Sequence, residues 1–240
     1  MIISKIKNFI HNYIEFKKFL NEIKIHLDAK NIAIVGSAQR ILNNKSGNLI
    51  DNFDLVLRFN AAPTNTYEVF VGKNTNIIAC NSLIFTDQCR EELIKENKDP
   101  LFILKQKNKI IVAIVENDFE IIKKNIFKFV DNSNKVFLFD NKLNNILRFH
   151  VVSKYNFFKK FYFYKYGPKL SIGLIILSII NILKIKSAFF GLDLNKNKNN
   201  MQYYYYTPKI EDHENTAHDF ELENKLIKKI LFKNDRIDFY

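Results

Sequence analysis

The sequence predicts an α/β protein: a single domain with a mostly parallel central sheet flanked by helices. Short β-branched runs recur, one ending at Gly36, one around Leu55–Leu57, and others at Ile77–Cys80, Ile110–Val115 and Val136–Phe139. Polar or charged stretches long enough for helices, such as Gln88–Lys98 and Asn117–Val130, separate them, and that alternation is the pattern of parallel strands joined by crossover helices. A length of 240 residues suits one sizeable core and is short for two ordinary domains and a linker. The expected division is an N-terminal amphipathic helix over residues 1–29 and a main domain over 30–240.

Met1 to Leu27 carries apolar residues at Ile3, Ile6, Phe9, Ile10, Tyr13, Phe16, Leu20, Ile23 and Leu27 with lysines between them, which is helical spacing. Charge interrupts the run too often for a bilayer span or a signal-peptide core. Two readings stand: an interfacial basic helix on an anionic membrane, or a helix packed on its own domain.

The formal charge is +12, from 37 Lys and Arg against 25 Asp and Glu. That excess suits an anionic partner such as a nucleotide, a membrane surface or an acidic glycan, and it equally suits a compositional bias. Cys80 and Cys89 form no disulfide framework and no zinc-spaced cluster, and a reducing compartment fits them best. No aspartate pair forms a D-x-D metal motif.

The first run, Asn31-Ile-Ala-Ile-Val-Gly-Ser-Ala-Gln-Arg40, reads as a buried strand feeding a turn at Gly36. Backbone amides at such a turn suit phosphate. Its single glycine meets neither a dinucleotide fingerprint nor a P-loop pattern. The continuation is more specific: Asp51, then Leu55-Val-Leu-Arg-Phe-Asn-Ala-Ala-Pro-Thr64, Tyr67-Glu-Val-Phe-Val-Gly72 and Thr75. Its order and spacing resemble the long donor-binding motif of animal-type sialyltransferases, a strand ending in Gly-Asn-Ser followed by Val-Leu-Arg-x-Asn-x-Ala-Pro-Thr. The resemblance implies a Rossmann-like, GT-A-like glycosyltransferase fold. It implies donor contacts at Gly36, Ser37, Arg40 and Asn60, and structural roles for Arg58, Pro63, Glu68 and Gly72. Ser37 stands where the family has asparagine, as does Arg40. The family's cysteine pair falls at Ile32 and Lys184, so that disulfide is missing and a bacterial-type, cytoplasmic member is expected.

Gly167-Pro-Lys-Leu-Ser-Ile-Gly173 precedes the apolar run Leu174–Leu183, and exposed amides at a helix start favour an anion. This segment, with Phe189-Phe-Gly191, is similar to the family's short motif and adds Ser171, Ile172, Gly173 and Gly191 as donor-binding residues, although Ile172 replaces an expected hydroxyl. Gln202-Tyr-Tyr-Tyr-Tyr-Thr-Pro208 resembles the third motif, which places Tyr203 or Tyr204 on the donor phosphate, where a phenol can donate. His218-Asp-Phe-Glu-Leu-Glu223 opens an amphipathic run with acids in its first turn. It fits the family's H-x4-E motif, with His218 as general base and Glu223 orienting the segment. His213 lies nearby with the wrong spacing.

The resemblance implies inverting transfer from CMP-sialic acid, a substrate here, to a galactose- or sialic acid-terminated glycan or glycolipid, without a cofactor or metal. Such a site must hold the donor, stabilise the departing phosphate and deprotonate an acceptor hydroxyl, a task suited to neutral histidine. Lipooligosaccharide or capsule assembly at the inner face of the cytoplasmic membrane would be the setting. The altered residues Ser37, Arg40 and Ile172 leave open another CMP-activated acid sugar such as CMP-Kdo. The aromatic and lysine-rich segment Phe149–Tyr166 leaves a remoter reading, a non-catalytic module for anionic lipid or nucleic acid. No nucleic-acid module frames that segment, and no nucleic acid is expected. Asn81-Ser82, after the third strand, reads as an ordinary turn at the carboxyl edge.

Overall fold

The computed structural model describes residues 2–28, 30–60, 62–86, 91, 105–115, 119–151, 160, 164–165, 167, 170–191, 220–231 and 236–240. Its centre is a seven-stranded sheet: β1 (Ile32–Val35), β2 (Leu55–Phe59), β3 (Ile77–Asn81), β4 (Ile110–Val115), β5 (Lys135–Asp140), β6 (Ser187–Phe190) and β7 (Ile237–Phe239). The order across the sheet is β5-β4-β3-β2-β1-β6-β7, and every pairing is parallel. Strands β1 and β4 are apolar throughout, and β6 is buried throughout, because both faces of a parallel sheet are covered. Strand β7 was not expected from the sequence: three residues, Ile-Asp-Phe, are too short for a periodic signal, and pairing with β6 makes the strand.

The helices are α1 (Ile2–Leu27), α2 (Gly47–Asp51), α3 (Glu68–Val71), α4 (Phe119–Phe129), α5 (Asn141–Val151), α6 (Ile172–Leu183) and α7 (Phe220–Leu231), with 3-10 turns at Gln39–Asn43 and Ser82–Phe85. Helix α5 is the one long described helix that the sequence reading did not mark. Its inward residues Leu143, Ile146 and Leu147 are buried, but the aromatic stretch from Phe149 onward masked the period. Most of Gln88–Lys98 lies outside the described residues.

Helix α1 is part of the domain. Phe16, Phe19, Leu20, Ile23 and Leu27 are buried in one cluster with Ile32, Phe137, Phe139, Leu147 and Leu177. Phe19 meets Phe137 and Phe139 edge-on at centroid distances of 6.1 and 5.3 Å. Burying such a side chain contributes about 1.5–3 kcal/mol, so removing α1 would open the core rather than release an intact domain. The described parts of the aromatic segment pack in the same place: Phe9 meets Phe149 and Tyr164, each at 5.2 Å, and Asn12 Nδ2 donates to the Tyr164 hydroxyl.

Strands β1 to β5 build outward in one direction from β1, while β6 and β7 lie on its other side. The crevice between the carboxyl ends of β1 and β6 is therefore a topological switch point, where open α/β sheets bind ligands. Helices α6 and α7 precede the parallel strands β6 and β7. Each therefore runs back against its strand, and its N-terminus lies at that same carboxyl edge.

Candidate active site at the carboxyl edge

Gly36 and Gly191 close the switch point. The Gly36 N–H donates to the Phe190 carbonyl at 2.7 Å and the Ala38 N–H to the Gly191 carbonyl at 3.2 Å. A Cβ on Gly36 would stand 2.4 Å from the Gly191 carbonyl oxygen, a backbone atom that cannot swing aside. Gly191 itself has φ +65°, the left-handed region that glycine enters without steric cost. The chain then enters the 3-10 turn carrying Arg40. Ser37 is half-buried and Arg40 exposed. Arg40, Asn44 and Ser46 line a shallow recess, open to solvent, with Ile41, Phe190, Gly191 and Tyr240. The Tyr240 ring lies flat on Phe190 at 4.9 Å. Its presence carried no sequence signal, because it reaches the edge through β7.

Asn60 sits directly after β2 with φ 51°, a conformation asparagine tolerates better than most side chains. Its N–H donates to the Ala79 carbonyl at 2.8 Å, and its Oδ1 accepts the Asn81 N–H at 3.1 Å. Since a backbone donor needs an acceptor, that bond assigns the amide orientation. The Nδ2 is thus the group that Asn60 can offer a ligand. Asn81, which the sequence suggested was an ordinary turn residue, belongs to this edge.

The residues expected to be structural build the support under Asn60. Arg58 is 2% exposed. Its Nη2 donates to the carbonyls of Val71, Gly72 and Asn74, and its Nε to Asn74 and to Thr75 Oγ1, at 2.7–3.1 Å. A planar guanidinium gathers those carbonyls into one loop in a way lysine cannot. The Asp51 carboxylate holds the loop from the other side, accepting the N–H groups of Lys73 and Asn74 at 2.9–3.0 Å. Gly72 has φ +71°, and a Cβ there would fall 2.6 Å from Asp51 Oδ1. Glu68 contributes its main chain: its carbonyl accepts the Gly72 N–H and would lie 1.9 Å from a Cβ on Gly47. The Glu68 side chain is exposed and Pro63 is half-buried. Gly47 was missed by the sequence reading, since only the approach of α3 to α2 makes a glycine necessary there.

Ser171 caps α6: its Oγ accepts the Leu174 N–H at 3.3 Å. Its own N–H donates to Glu223 Oε1 at 2.6 Å, and Glu223 is 3% exposed. The N-termini of α6 and α7 are thereby clasped together across 52 residues of sequence. The Ile172 side chain packs partly buried against the main core cluster, so what Ile172 presents to the edge is its backbone N–H. Among the described residues, a Cβ on Gly173 would touch only Ser171 Oγ, at 3.9 Å. At the α6 N-terminus the helix dipole favours negative charge. Tyr203, Tyr204 and His218 lie outside the described residues.

A family model described as glycosyltransferase family 29 (sialyltransferase) matches residues 2–234. The chain belongs to that family. Over 55 residues it is 51% identical to beta-galactoside alpha-2,6-sialyltransferase 2 of Xenopus tropicalis, covering 23% of this chain and 11% of that protein. Over 58 residues it is 50% identical to the human protein of the same name, covering 24% and 11%. The aligned segments thus span about a tenth of those relatives' length. A crystal structure of a mammalian sialyltransferase superposes with a TM-score of 0.54 at 16% identity, covering 99% of this chain and 84% of that one. A mammalian sialyltransferase in complex with Gal-beta-1-3GalNAc-ortho-nitrophenol gives 0.55 at 14% identity, covering 99% and 85%. These superpositions establish a shared fold for this family 29 chain.

Proposed function

We propose that this family 29 protein transfers sialic acid from CMP-sialic acid, with inversion, to a hydroxyl of a galactose- or sialic acid-terminated glycan or glycolipid. The observation that carries the reading is the convergence at one sheet edge of the Gly36–Gly191 turn, Asn60 and the clasped N-termini of α6 and α7. The names of the sequence relatives and the galactoside bound by one structural neighbour support a galactose-containing acceptor.

In this reading the amides of Ile172 and Gly173 and the Asn60 Nδ2 hold the donor, and Tyr203 or Tyr204 donates to its phosphate. His218, two residues before α7 in the chain, takes the acceptor proton. The acceptor oxygen then bonds to the anomeric carbon as the bond to the CMP oxygen breaks, and CMP departs with the electron pair. General-base assistance contributes roughly 10²–10⁴-fold, and orientation and phosphate stabilisation supply the remainder. No metal is assigned a role.

A second reading rests on Ile172, whose side chain turns to the core where the family pattern has a hydroxyl: the donor is another CMP-activated acid sugar such as CMP-Kdo. CMP release from CMP-sialic acid and CMP-Kdo, measured with a galactoside acceptor, separates the two. Turnover of CMP-Kdo alone overturns the sialyl assignment, and turnover of neither overturns both.

A further inference from the structure

We infer that the outward face of α1 is a docking surface for an anionic lipid bilayer, with the helix lying flat while its inner face stays in the core. The inner face is occupied by Phe16, Leu20, Ile23 and Leu27. On the outer side Ile6, Ile10 and Ile14 remain 51%, 51% and 48% exposed, and Ile25 is 78% exposed. At 3.6 residues per turn these four fall within about a third of the helix circumference. Exposed Lys7, Lys17, Lys18 and Lys24 fall in or beside the same arc, whereas Glu15 and Glu22 lie on the neighbouring side.

Lys18 pairs with Glu15 at 2.8 Å and Lys24 approaches Asp28 at 4.0 Å, whereas Lys7 and Lys17 stand in the arc of Ile6, Ile10 and Ile14, so this face combines apolar insertion with attraction to acidic headgroups. Charge complementarity selects the occupant: the lysines suit anionic lipid, and they would repel the same arc of a second copy. No described helix is long and apolar enough to cross a membrane, so attachment is at the interface. This surface does not depend on the proposed transfer reaction. Any enzyme held this way would meet membrane-borne acceptors preferentially.

The test uses the full chain in co-sedimentation with phosphatidylcholine vesicles, with or without phosphatidylglycerol. The wild type should partition onto the mixed vesicles only and be released by raised salt. Ile6→Ser/Ile10→Ser/Ile14→Ser should weaken partitioning by roughly tenfold or more, and Lys7→Gln/Lys17→Gln should do so by about fivefold for each lysine. Ile121→Ser/Phe127→Ser, which removes exposed apolar groups on α4, should bind as the wild type does. Thermal melts establish that each variant is folded, and if the isoleucine variant is not, the lysine pair decides. Absence of wild-type binding, equal binding to neutral vesicles, or folded α1 variants that bind unchanged would each overturn the inference. So would a wild-type dimer that the isoleucine variant dissolves, since a second copy would then cover this face.

Discussion

The Ser171 N–H donates to a buried carboxylate oxygen of Glu223 at 2.6 Å, joining the N-cap of α6 to the first turn of α7 across 52 positions of the chain. The clasp satisfies a donor at the N-terminus of α6 that the helix cannot satisfy itself. It also fixes the start of α7 against the edge where the donor is proposed to bind.

Glu223→Gln keeps an acceptor for Ser171 but loses the charge, while Glu223→Leu strands the N–H in the interior. Leaving a buried donor unsatisfied costs about 1–3 kcal/mol. Urea unfolding should show Glu223→Leu less stable by that amount and Glu223→Gln by less. Under the proposed function both should lower kcat more than they raise the donor KM. Two variants as stable as the wild type would show that the clasp does not hold in solution.

His218→Ala is expected to lose roughly two to four orders of magnitude in transfer with little change in CMP affinity, because removing a base removes a transition-state interaction. His213→Ala should be near wild type. The comparison of single-turnover rates with CMP titrations decides it, and the reverse pattern assigns the base to His213.

Gly36→Ala places a methyl group 2.4 Å from the Gly191 carbonyl. Overpacking of this kind costs typically about 1–3 kcal/mol, and here relief requires the ends of β1 and β6 to part. Lower thermal stability together with loss of donor binding is expected. Gly173→Ala, where a Cβ meets no described atom closer than 3.9 Å, should fold as well as the wild type, with its defect confined to donor binding.

His150 stacks on Tyr13 and Phe16 at 5.7 and 5.5 Å. Burial, assisted by Lys17 and Lys160, holds its pKa below the ordinary 6.5. As the pH falls through 6.5 the unfolded chain takes up a proton before the folded chain does. Stability is therefore lost on acidification from that point down to the folded pKa, and is restored above 6.5. Thermal midpoints measured across this window should fall for the wild type and stay flatter for His150→Phe, which retains a ring against α1. Equal slopes would rule out His150 as the group responsible.

The sequence by itself determined the parallel α/β class, the strands β1 to β5 and the helical runs of α1, α4, α6 and α7, because strand and helix periods are written locally in residue type. It also carried the ordered motif from Arg58 to Gly72, whose residues act through contacts close in the chain: the Arg58 guanidinium gathers Val71, Gly72, Asn74 and Thr75. Tertiary structure decided the rest. Whether α1 lies in the core depended on a partner surface built from β5, α5 and α6, and an amphipathic pattern does not say what its apolar face meets. The need for glycine at Gly47, the approach of Tyr240 to Phe190 and the Ser171–Glu223 bond each join segments that are distant in sequence. No local period encodes such contacts, since they exist only once the sheet order brings those chain segments to one edge.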